Sequence, residues 1–274
     1  MAKKEDDKMN DKVVMTPDVD INTKEVKGKK KETKGETVRS LAIAIILAVI
    51  FRSFAFEPFY IPSSSMKSTL LIGDYVFVSK YTYGYSRYSF PFGFDIFEGR
   101  IGGDKPQRGD VAVFKLPTNP SINYIKRLVG MPGDKIQVIN GELYINQEKV
   151  SRKKIENFLD KDERGNVTSI PQYIETLPNG VSYRVLDQRR NGDLDNTEVY
   201  EVPEGHYFMM GDNRDNSADS RVLLSVGYVP EENLVGPANR IFFSSEDSLL
   251  KIWTWPSSLR FDRFFSSIKY EGEK

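Results

Sequence analysis

The sequence predicts a mainly β protein: an antiparallel β-sheet domain carrying an inserted subdomain, preceded by one N-terminal transmembrane helix. Three observations carry this. Leu41 to Phe51 is an unbroken apolar block bounded by Arg39 and Arg52. Beyond Glu57 the apolar residues fall in short runs, at period two or in compact blocks. No long amphipathic helical pattern competes with those runs, so the part after Glu57 is mainly strand.

Residues 1–37 are rich in Lys, Asp, Glu and Thr and poor in large apolar side chains. Such a stretch buries too little surface to offset the entropy of ordering, which predicts a disordered tail. The anchor is placed at 38–56. The uncharged run between the two arginines covers only about 18 Å as a helix, against a hydrocarbon core of about 30 Å. Continuing to Glu57 gives about 27 Å if Arg52 snorkels to the interface. The apolar block favours insertion by roughly 2.4 to 4.8 kcal/mol, comparable to the cost of one central arginine, and Arg52 is off-centre. A buried core helix and a cleaved secretory signal, with Ser53-Phe54-Ala55 as a small-x-small site, compete with this reading. The lysine run from Lys24 to Lys34 places the tail in the cytoplasm and the remaining chain on the outer face.

In the sheet domain, 57–147 is the first part and 198–274 the second, with 148–197 inserted between them. Tyr75 to Val78, Val111 to Phe114 and Asn123 to Val129 read as strands. Ile136 to Ile139 and Glu142 to Ile145 flank Asn140-Gly141, a pair suited to a tight primed hairpin turn. Glu198 to Val202, Tyr207 to Met210 and Ile241 to Phe243 follow. The insertion is polar and spaced by Gly and Asn, and Tyr81 to Phe97 reads as an aromatic, glycine-rich surface loop. Trp253 and Trp255, with Phe261, Phe264 and Phe265, pack on the sheet or touch lipid headgroups; the sequence does not decide between these.

Composition narrows the chemistry. The 274 residues hold 39 basic and 39 acidic side chains, so no global field draws the chain to nucleic acid. Cysteine is absent, which excludes disulfides, thiolate metal sites and a cysteine nucleophile. The single histidine, His206, lies where a turn feeds a strand, without ligand spacing around it. A hydrolase here needs another base. No cofactor and no metal are expected.

Three segments carry the candidate site: Ile61-Pro62-Ser63-Ser64-Ser65-Met66-Lys67-Ser68-Thr69-Leu70, then Tyr124-Ile125-Lys126-Arg127-Leu128-Val129-Gly130, then Gly211-Asp212-Asn213-Arg214-Asp215-Asn216-Ser217-Ala218-Asp219-Ser220-Arg221. The third alternates Asp and Asn as a calcium loop does, but lacks the central glycine and closing glutamate of an EF-hand. In this order the three segments closely resemble the bacterial type I signal peptidases, a serine-lysine protease family. The resemblance implies that family's β-sheet fold, with Ser65 as nucleophile and Lys126 as general base. It implies Ser217 as the hydroxyl orienting the lysine, and Ser63 as an oxyanion donor beside the Ser65 backbone N–H. Asp219 and Arg221 match a supporting ion pair. Phe59, Ile61, Met66, Leu70, Tyr124 and Ile125 match the shallow pockets that accept small residues one and three positions before the cut. Ser68 departs from the pattern, because many members have proline there.

Chemistry independent of the resemblance points the same way. A serine hydroxyl needs a base during attack, and lysine serves only when neutral. Lowering its pKa from about 10.4 to about 7 costs roughly 4.6 kcal/mol of ammonium solvation, within the reach of burial. Ser65 follows the span by about ten residues, at most about 35 Å, so it stays near the membrane surface. The expected partners are exported preproteins and the lipid bilayer, with a protein-export translocon as a further candidate. The expected location is the inner (cytoplasmic) membrane. Two other functions compete: a self-cleaving serine-lysine repressor of the SOS kind, and an inactive anchored module that only binds peptides.

Overall fold

The computed structural model describes residues 34–89, 99–161, 165–189, 191–247 and 251–270. Most of the expected disordered tail, residues 1–33, lies outside them, as does much of the aromatic loop. The chain divides into two units, 1–44 and 45–274. Helix α1 (Lys34–Phe54) runs from the first into the second, with Glu36 in its first turn and Arg52 in its last, the signs a helix dipole favours. Its apolar side chains, Leu41, Ile43, Ile45, Ile46 and Leu47 among them, are exposed. Among the described residues no helix is long and apolar enough to cross a membrane; the Phe51 and Ser53 side chains are outside that set.

The second unit is mainly β. Its first strands are β1 (Phe56–Tyr60) and β2 (Asp74–Ser79), followed by the short helix α2 (Lys80–Tyr83) and the two-residue strands β3 (Tyr85–Ser86) and β4 (Arg100–Ile101). Then come β5 (Val111–Leu116), β6 (Asn119–Gly130), β7 (Lys135–Ile139), β8 (Glu142–Ile145) and β9 (Glu148–Lys149). The insertion holds β10 (Ser151–Lys154), β11 (Phe158–Lys161), β12 (Val167–Ile170), β13 (Gln172–Thr176) and β14 (Ser182–Leu186). The chain closes with β15 (Tyr200–Glu201), β16 (His206–Met210), β17 (Val229–Pro230), β18 (Leu234–Ser244) and the turn helix α3 (Trp255–Ser258).

A seven-stranded sheet in the order β1-β2-β18-β5-β6-β16-β17 carries the site, and its pairings are antiparallel. Strand β5 shows why the apolar block Val111 to Leu116 belongs at its centre. Val111 and Val113 face a core with Ile61, Met66, Leu70, Val76, Val78 and Ile125. Ala112, Phe114 and Leu116 face another with Leu128, Tyr207, Met209 and Leu234. A strand covered on both faces reads as a continuous apolar run. The expected hairpin joins β7 and β8, with Asn140 and Gly141 both at positive φ (51° and 76°), the geometry of a type I′ turn.

The insertion, to which the sequence assigned no strands, contains two sheets: β10-β13-β14, and β11-β12 as a pair of its own. The expected strand at 198–202 shrinks to two residues, while that at 241–243 extends back to Leu234 through register shifts near Gly236, Pro237 and Asn239. The C-terminal aromatics divide. Trp255 and Phe264 pack on Phe243 of β18, whereas Trp253, Phe261 and Phe265 are exposed.

Candidate active site

Between β1 and β2 the chain makes a compact loop, closed at its neck by Ile61 N–H to the Asp74 carbonyl (2.9 Å) and Gly73 N–H to the Ile61 carbonyl (3.0 Å). Gly73 is required there: its φ is +90°, and a Cβ would lie 1.9 Å from the Ser245 carbonyl oxygen. Met66 and Leu70 anchor the loop by full burial in the core. Their side chains point inward, and neither is among the residues that line the cleft beside Ser65. Between neck and anchors the loop presents Ser63, Ser64 and Ser65.

Strand β6 supplies Lys126, registered opposite Ala112 of β5. Its Nζ donates to Ser65 Oγ at 2.6 Å and to the Ile125 carbonyl at 3.0 Å. Lys126 is 4% exposed. Burial is the main influence on its pKa and outweighs the opposing pull of Asp219 and Asp212, lowering it to about 8. Ser63 Oγ lies 3.3 Å from Ser65 Oγ, and among the described residues no backbone carbonyl takes the Ser65 N–H.

The third segment sits behind this pair. Asp219 is fully buried and accepts from the Gly211 N–H (2.9 Å) and from Arg221 Nε and its terminal nitrogen (2.9 Å each). Burial alone would raise the Asp219 pKa, but Arg221 and these hydrogen bonds hold it below its ordinary value. Ser217 is buried, yet its Oγ finds no hydrogen-bond partner. The expected bond from Ser217 to Lys126 is therefore not formed. The hydroxyl instead packs against Gly211, where a Cβ would approach it to 2.1 Å.

Several positioning residues escaped the sequence reading. Gly211 is one, since its missing Cβ admits both Ser217 and the Ser65 carbonyl (2.8 Å from a built Cβ). Arg127, the neighbour of Lys126, pairs with Asp212 at 2.6 and 2.8 Å and stacks over Tyr183. Arg214 pairs with Glu175. Asn213 N–H donates to the Ser65 carbonyl (3.0 Å), Asn213 Nδ2 to the Ser64 carbonyl (3.0 Å), and Asn216 Nδ2 to Ser64 Oγ (2.6 Å). All five lie within the quoted segments; burial and partners, which only the fold supplies, reveal what they do. His206 bonds to the Glu204 carbonyl in its own turn.

An open cleft of about 630 Å³ leads to Ser65 and Lys126. Phe59, Ile61, Tyr124 and Ile125 line it, with Val113, Ile122, Asn216 and Ala218. β1 is an edge strand, and β6 pairs with β16 only from Arg127 onward. Among the described residues, two unpaired strand edges thus border the cleft.

A hydroxyl held against a desolvated amine, beside a cleft open to extended peptide, is the layout of a serine hydrolase. Residues 34–243 match the model of the family described as signal peptidase, peptidase S26, and the chain belongs to this family of serine endopeptidases. The signal peptidase I of Rickettsia canadensis (strain McKiel) is 40% identical over 260 residues, covering 86% of this chain and 94% of that protein. That of Rickettsia prowazekii (strain Madrid E) is 41% identical over 249 residues, covering 84% and 92%. A solved signal peptidase I from Enterococcus faecalis V583 is 27% identical and spans 49% of this chain and 97% of its own, with a TM-score of 0.29, too loose to bear on the fold.

Proposed function

We propose that this chain removes N-terminal signal peptides from exported preproteins, cutting after small-x-small sites with Ser65 as nucleophile and Lys126 as general base. The observation that carries this is the 2.6 Å contact between Ser65 Oγ and a buried Lys126 amine whose pKa is lowered to about 8. Neutral Lys126 takes the Ser65 proton as Oγ attacks the scissile carbonyl. The oxyanion is received by the Ser65 N–H and the Ser63 hydroxyl. Lys126, now protonated, gives its proton to the departing amine, and a water assisted by the same amine then hydrolyses the acyl-enzyme. Asp219 and Arg221 fix the Gly211 segment behind the lysine.

Specificity follows from the cleft. An extended peptide adds between the free edges of β1 and β6 by backbone hydrogen bonds, and its alternate side chains meet Phe59, Ile61, Tyr124, Ile125 and Ala218. One methylene discriminates by only about 1–3 kcal/mol, so rejection of larger residues rests on steric exclusion by buried side chains such as Ile61. The supporting environment is the bilayer. Within α1 the apolar block Leu41 to Phe51 lies between Arg39 and Arg52, and it is this block that the anchor reading rests on. Arg52, at its end, pairs with Glu57 at 2.7 Å, which lessens the cost of placing that charge at an interface. In this reading the tail is cytoplasmic and the sheet domain lies on the outer face, where exported chains emerge.

The test is cleavage of a preprotein in detergent or lipid. Ser65→Ala and Lys126→Ala are each expected to abolish it, and full activity in either overturns the assignment. Orientation is tested separately: protease added outside spheroplasts is expected to digest the chain after Glu57, and protection of that part reverses the topology.

A further inference from the structure

The loop bearing Ser65 has two neighbours. Through Ile61 to Ser65 it lines the cleft, to which no described residue of 148–197 contributes. Just past Ser65 it turns to the inserted subdomain. Lys67 Nζ lies 2.6 and 2.5 Å from the two carboxylate oxygens of Asp160 on β11, with both side chains mostly buried. Ser68 Oγ donates to the Arg184 carbonyl of β14 at 2.7 Å.

Asp160 lies on the β11–β12 hairpin of the inserted subdomain. The hairpin forms a two-stranded sheet of its own, and among its described strand residues only Ile170, at its base, is buried; Leu159 and Val167 are exposed. Such a hairpin is marginal without support. Asp160 alternates with exposed Leu159 and Lys161, so it faces away from them, onto a lysine two positions from Ser65. Ser68 stands where a proline would have stiffened the loop by fixing φ. Here a serine hydroxyl tied to β14 takes that place.

We infer that the inserted subdomain braces the nucleophile loop, and that Lys67, Ser68 and Asp160 are positioning residues for Ser65; this rests on the reading of Ser65 as nucleophile. Asn213 and Asn216 hold the loop at Ser64, and the Lys67–Asp160 pair holds it on the other side, so the reacting hydroxyl sits between two fixed points. The substrate cleft is untouched by the brace, so its loss acts on turnover and leaves binding alone. A misplacement of about 1 Å is enough to cost about a hundredfold in rate.

The experiment measures kcat and KM separately on a peptide substrate for the full chain in detergent, with Asp160→Asn, Lys67→Met, the exchanged pair Lys67→Asp/Asp160→Lys, and Ser65→Ala as control. The single variants are expected to lose about tenfold in kcat, with KM within about twofold of the original. The exchanged pair is expected to recover most of the loss. The brace is overturned if the single variants keep full kcat while Ser65→Ala is dead, or if the exchanged pair only adds the two losses. Cleavage by Ser65→Ala sinks instead the assignment beneath it.

Discussion

At the scale of single residues, function and stability pull in opposite directions at Lys126. Its folded pKa of about 8 lies below the unfolded value of 10.5. The unfolded chain therefore binds the extra proton between these values. The stability deficit is complete below about pH 8 and fades as pH rises toward 10.5. A shift of this size corresponds to about 3 kcal/mol. Lys126→Met is therefore expected to be inactive yet more stable than the original chain at pH 7, with a raised Tm in thermal unfolding; a lowered Tm denies that the amine is held at a desolvation cost. Gly211→Ala is expected to behave in the contrary way, losing both activity and stability. Its Cβ would meet Ser217 Oγ at 2.1 Å and the Ser65 carbonyl at 2.8 Å, far inside contact distance. Ser65, Lys126, Ser63 and the Asp219–Arg221 pair were legible because they stand in long, specific segments. The full burial of Met66 and Leu70 was not legible, because in a turn no periodicity tells which way a side chain points.

At the scale of elements, the strands that read clearly are those whose chemistry alternates or whose turn is chemically marked. β5 is apolar because both faces are covered, and the β7–β8 hairpin is marked by Asn140-Gly141. The strands of the insertion were hidden by their polarity: β10 is Ser-Arg-Lys-Lys, paired in register with β13 yet barely buried. The length of β18 was hidden by Gly236 and Pro237, which its register shifts accommodate. The nucleophile loop depends on buried Leu70 more than on its hydrogen bonds. Leu70→Ala is expected to cost about 2–5 kcal/mol in denaturant unfolding, and a cost below about 1 kcal/mol means that the loop is anchored elsewhere. If the brace stands in for a proline, Ser68→Pro placed in the Asp160→Asn background is expected to raise kcat above that of Asp160→Asn alone.

At the scale of the whole molecule, the ionisable groups set a pH profile of stability with a definite shape. Burial raises the pKa values of Asp219, Asp134 and Glu57, but their cationic and hydrogen-bonding partners win and hold all three low. They stabilise the fold above their unfolded values of 3.8 to 4.5 and lose that contribution as pH falls through the folded pKa values. Asp187, raised by burial, works the other way. On the alkaline side Tyr83, Tyr183 and Tyr207 are raised above 10.0, chiefly by burial, so they withdraw stability as pH climbs past 10.0. With Lys126 released between about 8 and 10.5, Tm is expected to rise from pH 7 to about pH 9–10 and then fall. The rise between pH 8 and 10 is expected to be much reduced in Lys126→Met.

Catalysis should show the same amine from the other side, because kcat/KM reports ionisations of the free enzyme. The most direct measurement is the pH dependence of kcat/KM for peptide cleavage, in the original chain and in Lys126→Arg. A neutral Lys126 acting as base gives a rising limb with its midpoint near pH 8, and no cleavage at any pH in the arginine variant. Full activity at pH 5.5, or turnover by Lys126→Arg, would mean that another group removes the Ser65 proton.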